Sequence, residues 1–189
     1  MTEQLIQHRD LVRGAAGVTR PDLCHASLTT RTGFRFDVRP VTADDEPGLA
    51  EFFSHVTPDE LRFRFLSGCR EVGHDRLIAM TDIDHDRTEN FLAVLPDGTI
   101  IATGLLAADP ALERGEVAIS IRGDYKNRGI SWTLLEHIAR YAEARGIKVI
   151  ESIEARENRA AIELEQEMGF TAEALPGDPT LVRVSRRLG

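Results

Sequence analysis

"GEVAISIRGDYKNRGISWTLLEHIARYAEARG", residues 115–146, decides how this chain folds. Its first seven residues put Glu116, Ala118 and Ser120 on one side and Val117, Ile119 and Ile121 on the other, the period of a strand with one apolar face. Residues 131–145 then carry Trp132, Leu135, Ile138, Ala139 and Ala142 along one helical stripe, and Arg145 and Gly146 form a C-terminal stop. Between strand and helix lies a basic turn, with Lys126, Arg128 and Gly129 at the helix mouth, in a chain whose formal net charge is −8. The unpaired N–H groups and positive dipole end of a helix N-terminus attract anions, and a glycine lets the backbone approach a phosphate closely. The turn therefore suits an anionic ligand.

The elements on either side complete a mixed α/β pattern. "FRFDVRPV" (34–41) alternates as a half-buried strand up to Pro40. Two short helices follow: one has Thr42 as cap and Leu49, Phe52, Phe53 and Val56 inward, and the other has Thr57, Pro58 and Glu60 as a capping box. "FLAVLPDGTIIATGLLAA" (91–108) is a hairpin about a DG turn. "IKVIESIEA" (147–155) reads as a strand, Asn158 to Met168 as a helix closed by Gly169, and "TLVRVSRRL" (180–188) as a last strand. The acidic stretch "LIAMTDIDHDRTEN" (77–90) reads as a solvated loop. It fails as a calcium loop, because Arg87 and Ala93 stand where such a loop starting at Asp82 needs Gly and Glu.

A length of 189 residues, 42% hydrophobic and 29% charged, fits one compact domain. That domain is expected to run from Phe34 to Gly189, after an arm (1–33) with a helical turn or two near Leu5–Val12. With 31 acidic against 23 basic residues, sequence-blind nucleic-acid binding is disfavoured and a cationic acceptor is more compatible. Cys24 and Cys69 form no CxxC pair and read as inert thiols of a reducing compartment. With neither a signal-peptide core nor a membrane-length apolar run, the expectation is a soluble cytoplasmic protein without a metal.

Order and motifs together resemble the GNAT acyltransferase superfamily over residues 36–188. The superfamily's (Gln/Arg)-x-x-Gly-x-(Gly/Ala) motif is matched by Lys126-Asn127-Arg128-Gly129-Ile130-Ser131, departing at Lys126 and Ser131. "NRAAIELEQEMGF" (158–170) resembles its pattern at Asn158, Ala161, Leu164, Gly169 and Phe170, with Glu165 where many members carry a Tyr that protonates the leaving thiolate. Glu165 itself reads as a solvated helix residue. "TPDELRFRFL", "AMTDIDHDRTENFLAV" and "GEVAISI" further resemble the GNAT domain of bacterial protein lysine acetyltransferases that inactivate acyl-CoA synthetases.

The resemblance implies a mostly antiparallel mixed sheet with helices on both faces and splayed central strands. It also implies acetyl-CoA as co-substrate, with Asn158 beside the coenzyme arm and Trp132 packed in the core or on the adenine side. Arg64, Phe65 and Asp84 would lie near the acceptor, and Glu116 would be the general base, directly or through a water. Strand backbone at Ile119 to Ile121 would hold the thioester oxygen. His55, His74 and His85 are weaker candidates for the base, and His137 reads as structural. The implied acceptor is a protein lysine, as on an acyl-CoA synthetase. The alternatives are a small amine or a catalytically lapsed coenzyme A-binding module, and a homodimer through the sheet edge or the arm is the assembly considered.

Overall fold

The computed structural model describes residues 23–66 and 71–189. The helical turn expected near Leu5–Val12, and Cys69, lie outside them. Eight strands form one sheet: β1 (Ala26–Thr29), β2 (Arg35–Pro40), β3 (Thr88–Val94), β4 (Ile100–Ala108), β5 (Arg114–Ile121), β6 (Val149–Ala155), β7 (Thr171–Ala174) and β8 (Leu181–Arg187). The helices are α1 (Glu46–Ser54), α2 (Pro58–Phe65), α3 (His74–Thr81), α4 (Ile130–Arg145) and α5 (Arg159–Glu167).

The strand order is β1-β2-β3-β4-β5-β6-β8-β7, antiparallel everywhere except between β5 and β6. A parallel pair needs a long crossover, and α4 supplies it. The helix can lie directly on β4 because position 104 is glycine: a Cβ there would stand 2.5 Å from Cδ1 of Ile138. Helices cover both faces of the sheet, as its central strand β4, with no exposed residue and mostly apolar side chains, requires. Phe91 of β3 enters the larger core with Leu134 and Ile138 of α4, while its neighbour Leu92 enters a second core with Leu49, Phe52 and Leu77 of α1 and α3.

Three elements depart from the sequence reading. Ala26–Thr29 lies inside the stretch read as an arm, yet it pairs with β2 from Ala26↔Val38 to Thr29↔Arg35, so the sheet starts before Phe34. α3 occupies the first half of the stretch read as a loop: Leu77, Met80 and Thr81 keep helical spacing and are buried, which outweighs the acids that follow. β7 is a four-residue edge strand with no buried residue, too short and polar to announce itself. The capping box of α2 forms as expected, with Thr57 Oγ1 accepting from the Glu60 N–H and Glu60 Oε2 accepting from the Thr57 N–H (3.0 Å).

The feature that makes a site is the divergence of β5 from β6. β5 holds β4 over seven pairs, Ala102↔Ile121 to Ala108↔Gly115, but meets β6 only at Arg114↔Val149, Gly115↔Ile150 and Glu116↔Glu151. Bonds from Asp109 N–H to Arg114 C=O and from Arg122 N–H to Ile101 C=O show that even-numbered β5 residues serve β4. By alternation, the peptide groups of Val117, Ile119 and Ile121 turn toward the gap. No helix among the described residues is long and apolar enough to cross a membrane.

Candidate active site

The gap between β5 and β6 opens into a cavity of about 400 Å³, within the range of small-molecule sites. One wall is the turn from Lys126 to Gly129 with the first residues of α4. Asn127 (φ 58°) and Gly129 (φ 80°) both adopt the left-handed conformation, and no side chain caps the helix, so its first N–H groups are left for a ligand. The β1–β2 turn braces this wall from behind. Thr32 Oγ1 donates to the Arg128 carbonyl (3.0 Å), and the Arg31 guanidinium lies 4.0 Å from the centre of the Trp132 ring.

Glu116, Ile119, Ile121, Lys126, Asn127, Gly129, Ile130, Ser131, Trp132, Asn158 and Arg64 all line this cavity. Lys126 pairs with Glu60 of α2, and burial lowers its pKa, so an incoming anion competes with a carboxylate already in place. Asn158 does not cap α5 with its side chain; its Nδ2 donates instead to Glu154 Oε2 (2.7 Å). Three expected residues stand elsewhere. Arg128 stacks its guanidinium over Tyr125 (4.9 Å) and Phe34 (5.2 Å), outside the cavity lining, because those rings lie beside the turn. Phe65 turns into the second core against Phe53 (5.9 Å), and Phe63, two residues earlier, takes the cavity-facing place. Asp84 is used by its own turn: Oδ1 accepts from the N–H groups of Thr88, Asp86 and Arg87, which holds its pKa below the usual carboxylate value.

None of the four histidines weighed as bases lines the cavity. His55 meets Glu51 (3.2 Å), His74 meets Glu46 and His85 meets Glu89 (3.0 Å). His137 is buried edge-on to Phe91, and burial pushes its pKa down.

Sequence reasoning missed two carboxyl groups of the cavity. Glu165, read as solvated, is 6% exposed: Oε1 accepts from Ser152 Oγ (2.7 Å) and Oε2 has no partner. Burial, reinforced by the charge of Glu154, raises its pKa to about 8. Glu154 of β6 is raised to about 7 by burial, against the opposing effects of Asn158 and Arg64. Both had a signal in the sequence. Glu165 falls on the stripe Ala161, Glu165, Met168, and Glu154 shares its strand phase with the buried Ile150 and Ser152. Arg64 completes the group: burial lowers its pKa, the charges of Glu116 and Glu154 oppose that, and its Nε is buried without a partner.

A parted sheet edge, an uncapped helix start beside it and unpartnered buried polar atoms of Arg64, Ser120 and Glu165 fit a long polar thioester drawn between strands with its phosphates at the helix. These features suit an acyl-coenzyme A-dependent transferase. Residues 53–170 match the acetyltransferase (GNAT) family, and the chain belongs to that family. Acetyl-CoA is accordingly its co-substrate and an amine its acceptor. The chain is 28% identical over 148 residues to the acetyltransferase PA5475 of Pseudomonas aeruginosa, covering 77% of this chain and 80% of that protein. Its fold matches the GNAT domain of S. lividans PAT with a TM-score of 0.82 and 26% identity, over 89% of this chain and 99% of that one. It also shares its fold with the spermidine N-acetyltransferase of Vibrio cholerae, solved with CoA and spermine, at a TM-score of 0.66 and 18% identity, over 80% and 95% of the two chains.

Proposed function

We propose that the protein moves the acetyl group of acetyl-CoA onto a lysine side chain of another protein, with Glu116 as the base. The observation that carries this reading is the openness of the acceptor end. Glu116 is exposed at the end of the β5–β6 ladder, and Leu66, which is 42% exposed, lines both the cavity and a second groove of about 760 Å³. That groove runs past Arg62, Glu157 and Thr180, room for chain on either side of a lysine. The likeness to the GNAT domain of S. lividans PAT supports the same reading.

In this scheme the N–H groups at the start of α4 bind the phosphates, the free peptide edge of Val117 to Ile121 polarises the acetyl carbonyl, and Glu116 accepts a proton from the acceptor ammonium. A small cationic amine is the second reading, favoured by the carboxyl groups of Glu116, Glu154 and Glu165 around one cavity. The deciding experiment offers acetyl-CoA to host-cell proteins and, separately, to spermidine, with wild type beside Glu116→Gln. Lysine acetylation found by mass spectrometry and strongly slowed in the variant is the expected result. Thiol release with spermidine alone would replace the protein acceptor by a small one.

A further inference from the structure

Glu154 has no place in that scheme, yet its surroundings are built around it. It lines the cavity from β6, three residues beyond the last β5–β6 pair, Glu116↔Glu151, and Glu116 borders the same cavity from β5. Asn158 Nδ2 fixes one of its oxygens at 2.7 Å. From α2, Arg64 supplies the nearby positive charge, and from α5, Glu165 supplies a second carboxyl group. On β8 the residue opposite is the apolar Val182, and the adjacent Arg183 is engaged with Glu151 (3.5 Å). The unpartnered Oε2 of the deeply buried Glu165 and the unpartnered Nε of Arg64 belong to the same cavity, so its polar lining is made for something other than itself.

We propose that Glu154 is a second proton-accepting residue of the transfer reaction, lining the same cavity as Glu116. The inference rests on the acetyl-transfer reading and divides the base's work between two carboxylates. The acceptor ammonium gives one proton to the Glu154 carboxylate, and the freed lone pair forms the N–C bond while the C–S bond breaks. A second proton leaves the nitrogen for the departing sulfur, and Glu154 returns its proton to the water of the open cavity. The net reaction is ammonium plus thioester to amide, thiol and one proton. A carboxyl group that titrates near neutrality fits this part, since it is half ionised where the reaction must run.

The test is the pH dependence of kcat/KM for acetyl transfer to host-cell protein and to spermidine, for wild type, Glu154→Gln, Glu116→Gln and Arg64→Met. Wild type should show a break near pH 7. Glu154→Gln should lose that break and fall about 100-fold at pH 8, while binding CoA with the wild-type Kd. Glu116→Gln should slow the reaction but keep the break. Arg64→Met should move the break to higher pH, because the positive charge that favours the carboxylate is gone, a shift that a purely structural role for Glu154 would not produce. A wild-type profile in Glu154→Gln, with transfer intact, overturns the inference and leaves the transfer reading standing. No transfer by wild type to either acceptor overturns both.

Discussion

Replacing Glu165 by glutamine should stabilise the protein in a pH-dependent way. The folded carboxyl group holds its proton up to about pH 8, against 4.5 for the ordinary group. Between those values the folded chain binds more protons than the unfolded one, so stability falls as pH rises through the window. From that difference, keeping Glu165 buried costs about 4 kcal/mol at pH 8 and under about 1 kcal/mol at pH 5. At 6% exposure little solvent screening reduces the figure. Glutamine has the same shape, keeps an oxygen for the Ser152 hydroxyl and has no proton to lose. Urea unfolding at both pH values should show the variant ahead by about 3 kcal/mol more at pH 8 than at pH 5, or about 6–12 °C in Tm for a chain of this size. An equal gap at the two pH values would mean that Glu165 is not held neutral by burial.

Three further substitutions probe other parts of the frame. Asn90→Ala should cost about 3 kcal/mol in denaturant unfolding, because buried Asn90 receives the Thr103 hydroxyl (2.6 Å) and donates to the Met80 carbonyl (3.0 Å), leaving both without a partner; a loss below about 1 kcal/mol would show that water replaces it. Gly129→Ala forces a side chain onto φ 80° and sets its Cβ 3.3 Å from Thr30, so calorimetry should find CoA binding about tenfold weaker, and an unchanged Kd would detach this turn from the phosphates. Asp84→Ala should lower Tm while leaving KM for the acceptor unchanged, since Asp84 serves three backbone N–H groups of its own turn; a raised KM would return it to the acceptor site.

Strand β5, the basic turn and helix α4 were legible because each carries its own local signal: alternation in β5, a glycine with cations before α4, and a stripe along α4. The ends of the sheet were not. The four residues of β1 and the four of β7, half of them polar, become strands only because neighbouring strands offer them an edge, and that information lies elsewhere in the chain. The site divides in the same way. The cavity wall from Lys126 to Trp132 is continuous in sequence, and every residue expected there except Arg128 lines the cavity, whereas Glu154 and Glu165 acquire their chemistry from burial against each other across α5 and β6. Their positions could be read from periodicity. Their protonation could not, because charge on its own argues for solvent.

The two halves of the sheet share only three ladder pairs between β5 and β6, so the junction is carried by side chains, with Val117 on one side and Ile150 and Val184 on the other in the same core as α4. A seam of backbone hydrogen bonds has one spacing, but a seam of packed methyl groups can be widened or narrowed one carbon at a time. Exchanging core residues along that seam should therefore change the width of the gap between β5 and β6, with the strand order and the turn from Lys126 to Gly129 left as they are.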